Sequence, residues 1–144
     1  MGSNANIWTS NCMSAEAKFQ SAIMRMLPGH AFRVENAVSV GMPDINVCYR
    51  GIEIWIEVKS AINGELLLRP YQRAFMELRT RAGGECFIVA LWPEVNEVSV
   101  SPWPMCLESV KRFGKNYLHV IPTIDQCFKK DKGYLQEIRK RLFQ

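Results

Sequence analysis

The chain has 144 residues, of which 48% are hydrophobic and 22% charged, enough apolar material for one sizeable core, which excludes disordered and fibrous classes. Five cysteines at positions 12, 48, 86, 106 and 127 form no C-x-x-C pair, so neither a disulfide framework nor a zinc knuckle is indicated and a reducing compartment is expected. The net charge of +4 is carried by the stretch from Lys129 to Gln144, with six basic and two acidic residues; a solvated helix face or a phosphate-rich partner accounts equally well for such a segment.

Ser14 can cap a first helix that runs to about Leu27, where Pro28 and Gly29 stop it. Residues 16, 19, 20, 23 and 27 share one side of that helix, which places Glu16 and Gln20 on a stripe with Phe19, Ile23 and Leu27. A carboxylate there is explained by the helix dipole at an exposed start, or by a function. Ala31 to Asn36 and Ile45 to Tyr49 read as strands, and Gly51 turns the chain into a third, Ile52 to Lys59, whose alternation is clean. Ile52, Ile54, Ile56 and Val58 point to one face; Glu53, Trp55, Glu57 and Lys59 point to the other.

After Asn63-Gly64, Pro70 opens a second helix that ends at Gly83-Gly84, and Cys86 to Leu91 is an apolar strand of buried type. Cys48 and Cys86 read as small core residues, and His30 as a turn residue. Trp92 to Pro104 reads as an irregular connection with a short strand at Glu97 to Val100, followed by a short helix near Met105 to Phe113 and a last helix near Lys130 to Phe143. The expectation is one α/β domain over residues 1–144, with a mixed sheet covered by helices, a core at about 14–91 and a peripheral, helical extension at about 92–144. No apolar run approaches the roughly 18 residues that cross a bilayer, and the opening MGSNANIWTSNC lacks a signal-peptide layout, so a cytoplasmic protein without membrane contact is expected.

The chemistry concentrates in Gly41-Met42-Pro43-Asp44 and, after twelve intervening residues, Glu57-Val58-Lys59. Glu57 and Lys59 sit side by side on one strand face, about 6 to 7 Å apart at Cα. If the two strands pair as a hairpin through Arg50-Gly51, the Asp44 carboxylate comes near that of Glu57. Two carboxylates and a backbone carbonyl form a hard oxygen site suited to Mg²⁺ or Mn²⁺, and a lysine beside them can orient water or steady a developing charge. A solvent-facing salt pair is the simpler reading of Glu57 and Lys59 alone; Trp55 on the same face counts against it.

These residues resemble the signature of the PD-(D/E)XK nuclease superfamily, the restriction-endonuclease-like fold, and are similar to its VRR-NUC branch and to phage Holliday-junction-resolvase-like nucleases. Glu16 with Gln20 in the first helix and Gln72 early in the second, in Leu68-Arg69-Pro70-Tyr71-Gln72, belong to the resemblance, which spans about Ser14 to Leu91. It implies an α-β-β-β-α-β core and a divalent ion held by Asp44, Glu57 and the carbonyl of Val58, with Glu16 approaching directly or through a water. It implies further that Lys59 positions the attacking water and Gln72 fixes Lys59 or that water, so that DNA phosphodiesters are hydrolysed without a covalent intermediate.

Arg33, Arg50, Arg69, Arg73, Arg79 and Arg81 flank the core, and Arg69, Arg73, Lys129, Lys132, Arg139 and Lys140 are the candidates for gripping backbone phosphates. Such contacts tolerate any sequence, which favours structure-selective cleavage of branched DNA. Cutting both strands of a junction needs a homodimer, and Val95, Val98 and Val100 are candidate interface residues. A DNA-binding module or a nuclease-mimicking inhibitor of the same fold is the alternative. A metabolic acid-base enzyme is disfavoured, since neither G-x-x-x-x-G-K nor G-x-G-x-x-G is present.

Overall fold

The computed structural model describes residues 13–34, 41–104, 107–112 and 115–144, the side chains of 107–112 and 115–118 excepted. Helix α1, Ala15–Met26, begins where the Ser14 hydroxyl accepts the Ala17 N–H at 3.0 Å, as a serine N-cap does. Strands β1 (His30–Arg33), β2 (Ile45–Tyr49) and β3 (Ile52–Ser60) follow, then a two-residue β4 (Leu67–Leu68), helix α2 (Pro70–Arg81) and β5 (Glu85–Trp92). The expected strand from Ala31 to Asn36 starts one residue earlier, at His30, and its last two residues lie outside the described chain.

Beyond β5 come β6 (Glu97–Pro102), β7 (Leu107–Arg112), β8 (Lys115–Val120), a 3₁₀ turn at Ile124–Gln126, β9 (Cys127–Lys129) and helix α3 (Tyr134–Leu142). Six strands form a mixed sheet in the order β1-β2-β3-β5-β6-β9; β3 and β5 run parallel and the other pairs antiparallel. The parallel pair requires a crossover, and α2 supplies it. A second sheet has the order β4-β8-β7.

Both faces of β3 are covered. Ile54, Ile56 and Val58 pack with Ile45, Val47 and Val89 under Phe19 and Ile23 of α1 and Ile138 and Leu142 of α3. Trp55 packs on the other face with Ile88, Leu68 and Met76 of α2. Each fully buried aliphatic side chain contributes about 1.5–3 kcal/mol of transfer free energy, and β3 places three of them on one side.

Four expectations are corrected. The segment Met105 to Phe113 contains strand β7 from Leu107 to Arg112, paired along its length with β8, in place of a helix. Residues after Trp92 are integral to the central sheet, where β6 pairs with β5 from Trp92↔Glu97 to Phe87↔Pro102. Val98 and Val100 are therefore core residues, leaving only Val95 of the three exposed, because a strand flanked on both edges and covered by α3 has no free face. Cys48 is exposed, since it lies toward the turn end of β2 opposite the exposed Glu53, whereas Cys86 is buried; burial pushes the Cys86 thiol up to about 11.

Candidate active site

The site lies where β2 and β3 part. Their ladder runs from Tyr49↔Ile52 to Ile45↔Ile56, so the next pair in register with facing hydrogen-bonding edges would be Pro43 opposite Val58. Proline has no N–H to give the Val58 carbonyl, and the ladder stops. The Val58 N–H on the same edge goes instead to the Asp44 carboxylate, at 2.7 Å to Oδ2. Two residues on, the Ser60 N–H is taken by Glu16 Oε1 at 3.2 Å. The bare edge of β3 is thus closed by two carboxylates, one from the mouth of β2 and one from α1, with the Val58 carbonyl between them.

Backbone contacts hold these groups in place. The Asp44 carbonyl accepts the Val34 N–H at 2.9 Å, tying it to β1. Gly41, at φ +93°, passes so close to the Tyr71 backbone that a Cβ would meet the Tyr71 carbonyl at 2.5 Å, which brings the segment leading to Pro43 and Asp44 against the start of α2.

Gln72 joins the two sides. It occupies the third position of α2, after Pro70, and its side-chain carbonyl caps the helix start by accepting the Arg69 N–H at 3.0 Å. The same oxygen accepts Lys59 Nζ at 3.2 Å, and the amide nitrogen donates to Glu57 Oε2 at 3.4 Å. Two unambiguous donors at the oxygen fix which way the amide points.

Glu57 is 3% exposed. Burial, followed by the charge of Asp44 and a hydrogen bond with it, holds its carboxyl well above the usual carboxylate range; Lys59 pulls the other way and Glu16 adds to the rise. Asp44, Glu57 and Lys59 therefore meet in one cleft of about 590 Å³, which Glu16, Val58, Ser60, Arg69 and Gln72 also line.

The Asp44 and Glu57 carboxyl groups are in hydrogen-bond contact. Among the described residues no group of three His, Cys, Asp or Glu side chains is gathered to hold an ion. Two carboxylates and a main-chain carbonyl nevertheless match Mg²⁺, which binds through one or two carboxylates and keeps several waters. The donor set fits a hard cation.

The phosphate-gripping candidates scatter. Arg69 borders the cleft, and Arg73 near it is paired with Glu77 at 2.8 Å. Lys129 pairs with Glu97 at 3.5 Å on β9, three strands and about 14 Å from β3. Lys132 and Lys140 are exposed around α3, and Arg139 lies over the Tyr49 ring at 5.6 Å, at the opposite end of β2 from Asp44. His30, expected in a turn, is an exposed residue of β1, and the Nε2 of His119 on β8 is buried with no hydrogen-bond partner among the described residues. Sequence reasoning missed Ser60, whose N–H holds Glu16, and the obstruction by Pro43. The obstruction by Pro43 was readable from the two-residue turn at Arg50-Gly51, which sets the register; the contact of Glu16 with Ser60 was not, since it joins segments 44 residues apart.

No family model and no curated protein matches the chain. Among solved structures it is similar to Hjc, a Holliday junction resolvase from the archaeal hyperthermophile Archaeoglobus fulgidus, with 23% identity, a TM-score of 0.54, and coverage of 73% of this chain and 83% of that one. The two share a fold, a central mixed sheet flanked by helices of the restriction-endonuclease-like kind.

Proposed function

We propose that this protein is a divalent-metal-dependent endonuclease that hydrolyses DNA phosphodiester bonds and prefers branched structures such as four-way junctions. The observation that carries the reading is the contact of the Asp44 and Glu57 carboxylates beside Lys59, at the place where Pro43 ends the β2–β3 ladder. The fold likeness to a protein described as a Holliday junction resolvase supports it. Placement in the VRR-NUC or phage branch rests on the motif alone.

Magnesium or manganese, when bound by Asp44, Glu57 and the Val58 carbonyl, supplies charge to neutralise a phosphate and lowers the pKa of water. The chain does the rest. Lys59, tethered by Gln72 and facing Glu57, presents an ammonium that orients a nucleophilic water and opposes the charge that develops on the phosphoryl oxygens. Gln72 is a positioning residue, since it holds Lys59 and Glu57 at once. Glu16, engaged with the Ser60 N–H, approaches the site from α1, directly or through a water. Arg69 on the cleft wall meets the backbone of the scissile strand. One cleft per chain cuts one strand, so symmetric cleavage of a junction requires a homodimer.

The test is a cleavage panel of linear, nicked, flapped, bubbled and four-way DNA with Mg²⁺, Mn²⁺ or EDTA. The expected result is metal-dependent cutting, fastest on the four-way substrate. Glu57→Ala and Lys59→Ala proteins that cut as well as the parent sink the assignment, and tight DNA binding with no metal-dependent turnover favours a binding module.

A further inference from the structure

The turn that joins β2 to β3 is made in an unfavourable way. Arg50 and Gly51 both have positive φ, 51° and 79°, the pattern of a two-residue type I′ turn, whose first position favours Asn, Asp or Gly. An arginine there carries a backbone cost that the turn after β3 avoids by using Asn63-Gly64, at φ 52° and 72°.

What the chain obtains is a guanidinium 5.0 Å from the Tyr49 ring centroid, on a ring that Arg139 also approaches, at 5.6 Å. Covering one ring requires one such group, and two like charges repel. Among the described residues neither guanidinium is in an ion pair with a carboxylate, although Arg141 on the same helix is paired with Glu137. The nearest acidic residue across the β2–β3 ladder, Glu53, accepts from Asn46.

The edge strand β1 leads from this pair toward the cleft. Its residues are His30, Ala31, Phe32 and Arg33, with no acidic side chain; Phe32 is 44% exposed, and Arg33 is satisfied by the neutral Ser21 hydroxyl. Arg33 lies opposite Ile45, next to Asp44, and His30 lies opposite Cys48, two residues before Arg50. A cationic, partly aromatic edge therefore connects the two ends of β2. From Ile52 to Glu57 is about 17 Å along β3, close to five nucleotide steps of a duplex strand.

We propose that this edge is a second nucleic-acid contact, in which Arg50 and Arg139, gathered on Tyr49, bind backbone phosphates about five nucleotides from those in the cleft, with Arg33 at the cleft end of the edge. It rests on the nuclease reading and adds to it a footprint that extends about five nucleotides along the bound strand from the cleft.

Binding of a labelled four-way junction is measured in EDTA, so that affinity is read without cleavage, across a salt series. Arg50→Asn relieves the turn and removes the charge: Tm is expected to rise by about 2–3 °C, while affinity falls about fivefold and the salt slope drops by about one. Arg50→Lys keeps the charge and is expected to bind like the parent, and Arg139→Gln repeats the loss of affinity without the gain in Tm. Unchanged affinity and slope in Arg50→Asn overturn the proposal even if Tm rises. A parent that cuts DNA while Arg50→Asn binds normally removes only this contact; a parent that binds no DNA in EDTA and cuts none with metal removes the nuclease reading as well.

Discussion

The two ends of the β2–β3 hairpin are built from the same pair of strands and differ in one respect. At the turn end every rung of the ladder is made, from Tyr49↔Ile52 onward. At the other end the rung that Pro43 cannot make leaves the edge of β3 to carboxylates. The acidic groups collect where the backbone stops satisfying itself, because there side chains take over its hydrogen bonds.

Substitutions at the open end are expected to act on activity first. Glu57→Gln keeps the shape and removes the charge; cleavage of a four-way junction in Mg²⁺ should fall by about 10³-fold or more, read as initial rate. Gln72→Ala frees both Lys59 and Glu57, and a loss of about 10- to 100-fold is expected, accompanied by a drop of about 1 kcal/mol in denaturant stability from the weakened helix start.

Pro43→Ala is the sharpest probe of the contrast, since it returns an N–H to the missing rung. If the ladder extends, the Val58 carbonyl is occupied and Mg²⁺ affinity, followed calorimetrically, should weaken about tenfold. Parent-like affinity would break the proposed link between the proline and the cation site.

Titration separates the ends further. Glu57 carries a folded-state pKa raised above its ordinary 4.5, so the folded protein holds the proton longer than the unfolded chain. Its contribution to stability is full below about 4.5 and is lost as pH rises toward the higher folded value. Without added metal, stability should therefore fall across that window by at most about 1.4 kcal/mol per pH unit, and Glu57→Gln should flatten the slope in urea titrations. At the closed end, Ile54→Val should cost only about 1 kcal/mol and leave the cleavage rate unchanged.

The legible part of the molecule follows from local rules. Ser14, Pro70 and the alternation of Ile52 to Lys59 marked α1, α2 and β3, since caps and periodicity act within a turn or two of chain. Asp44, Glu57 and Lys59 were readable as one cluster because a two-residue turn fixes which residues face each other. The segment after Trp92 was not legible: Val98 and Val100 alternate like an exposed strand, and only pairing with β5 on one edge and β9 on the other decides that they are core. The stretch from Leu107 likewise became a strand through its pairing with β8, a contact that intrinsic propensity does not encode.

From residue order alone came the fold class, the hairpin and the three polar groups of the cleft, because each depends on spacings of a few residues. Only the folded chain decided that Gln72 joins Lys59 to Glu57, that Glu16 reaches Ser60 across 44 residues, and that Arg139 and Arg50 share the Tyr49 ring. Those contacts link segments distant in sequence, and their partners are set by how helices pack on the sheet.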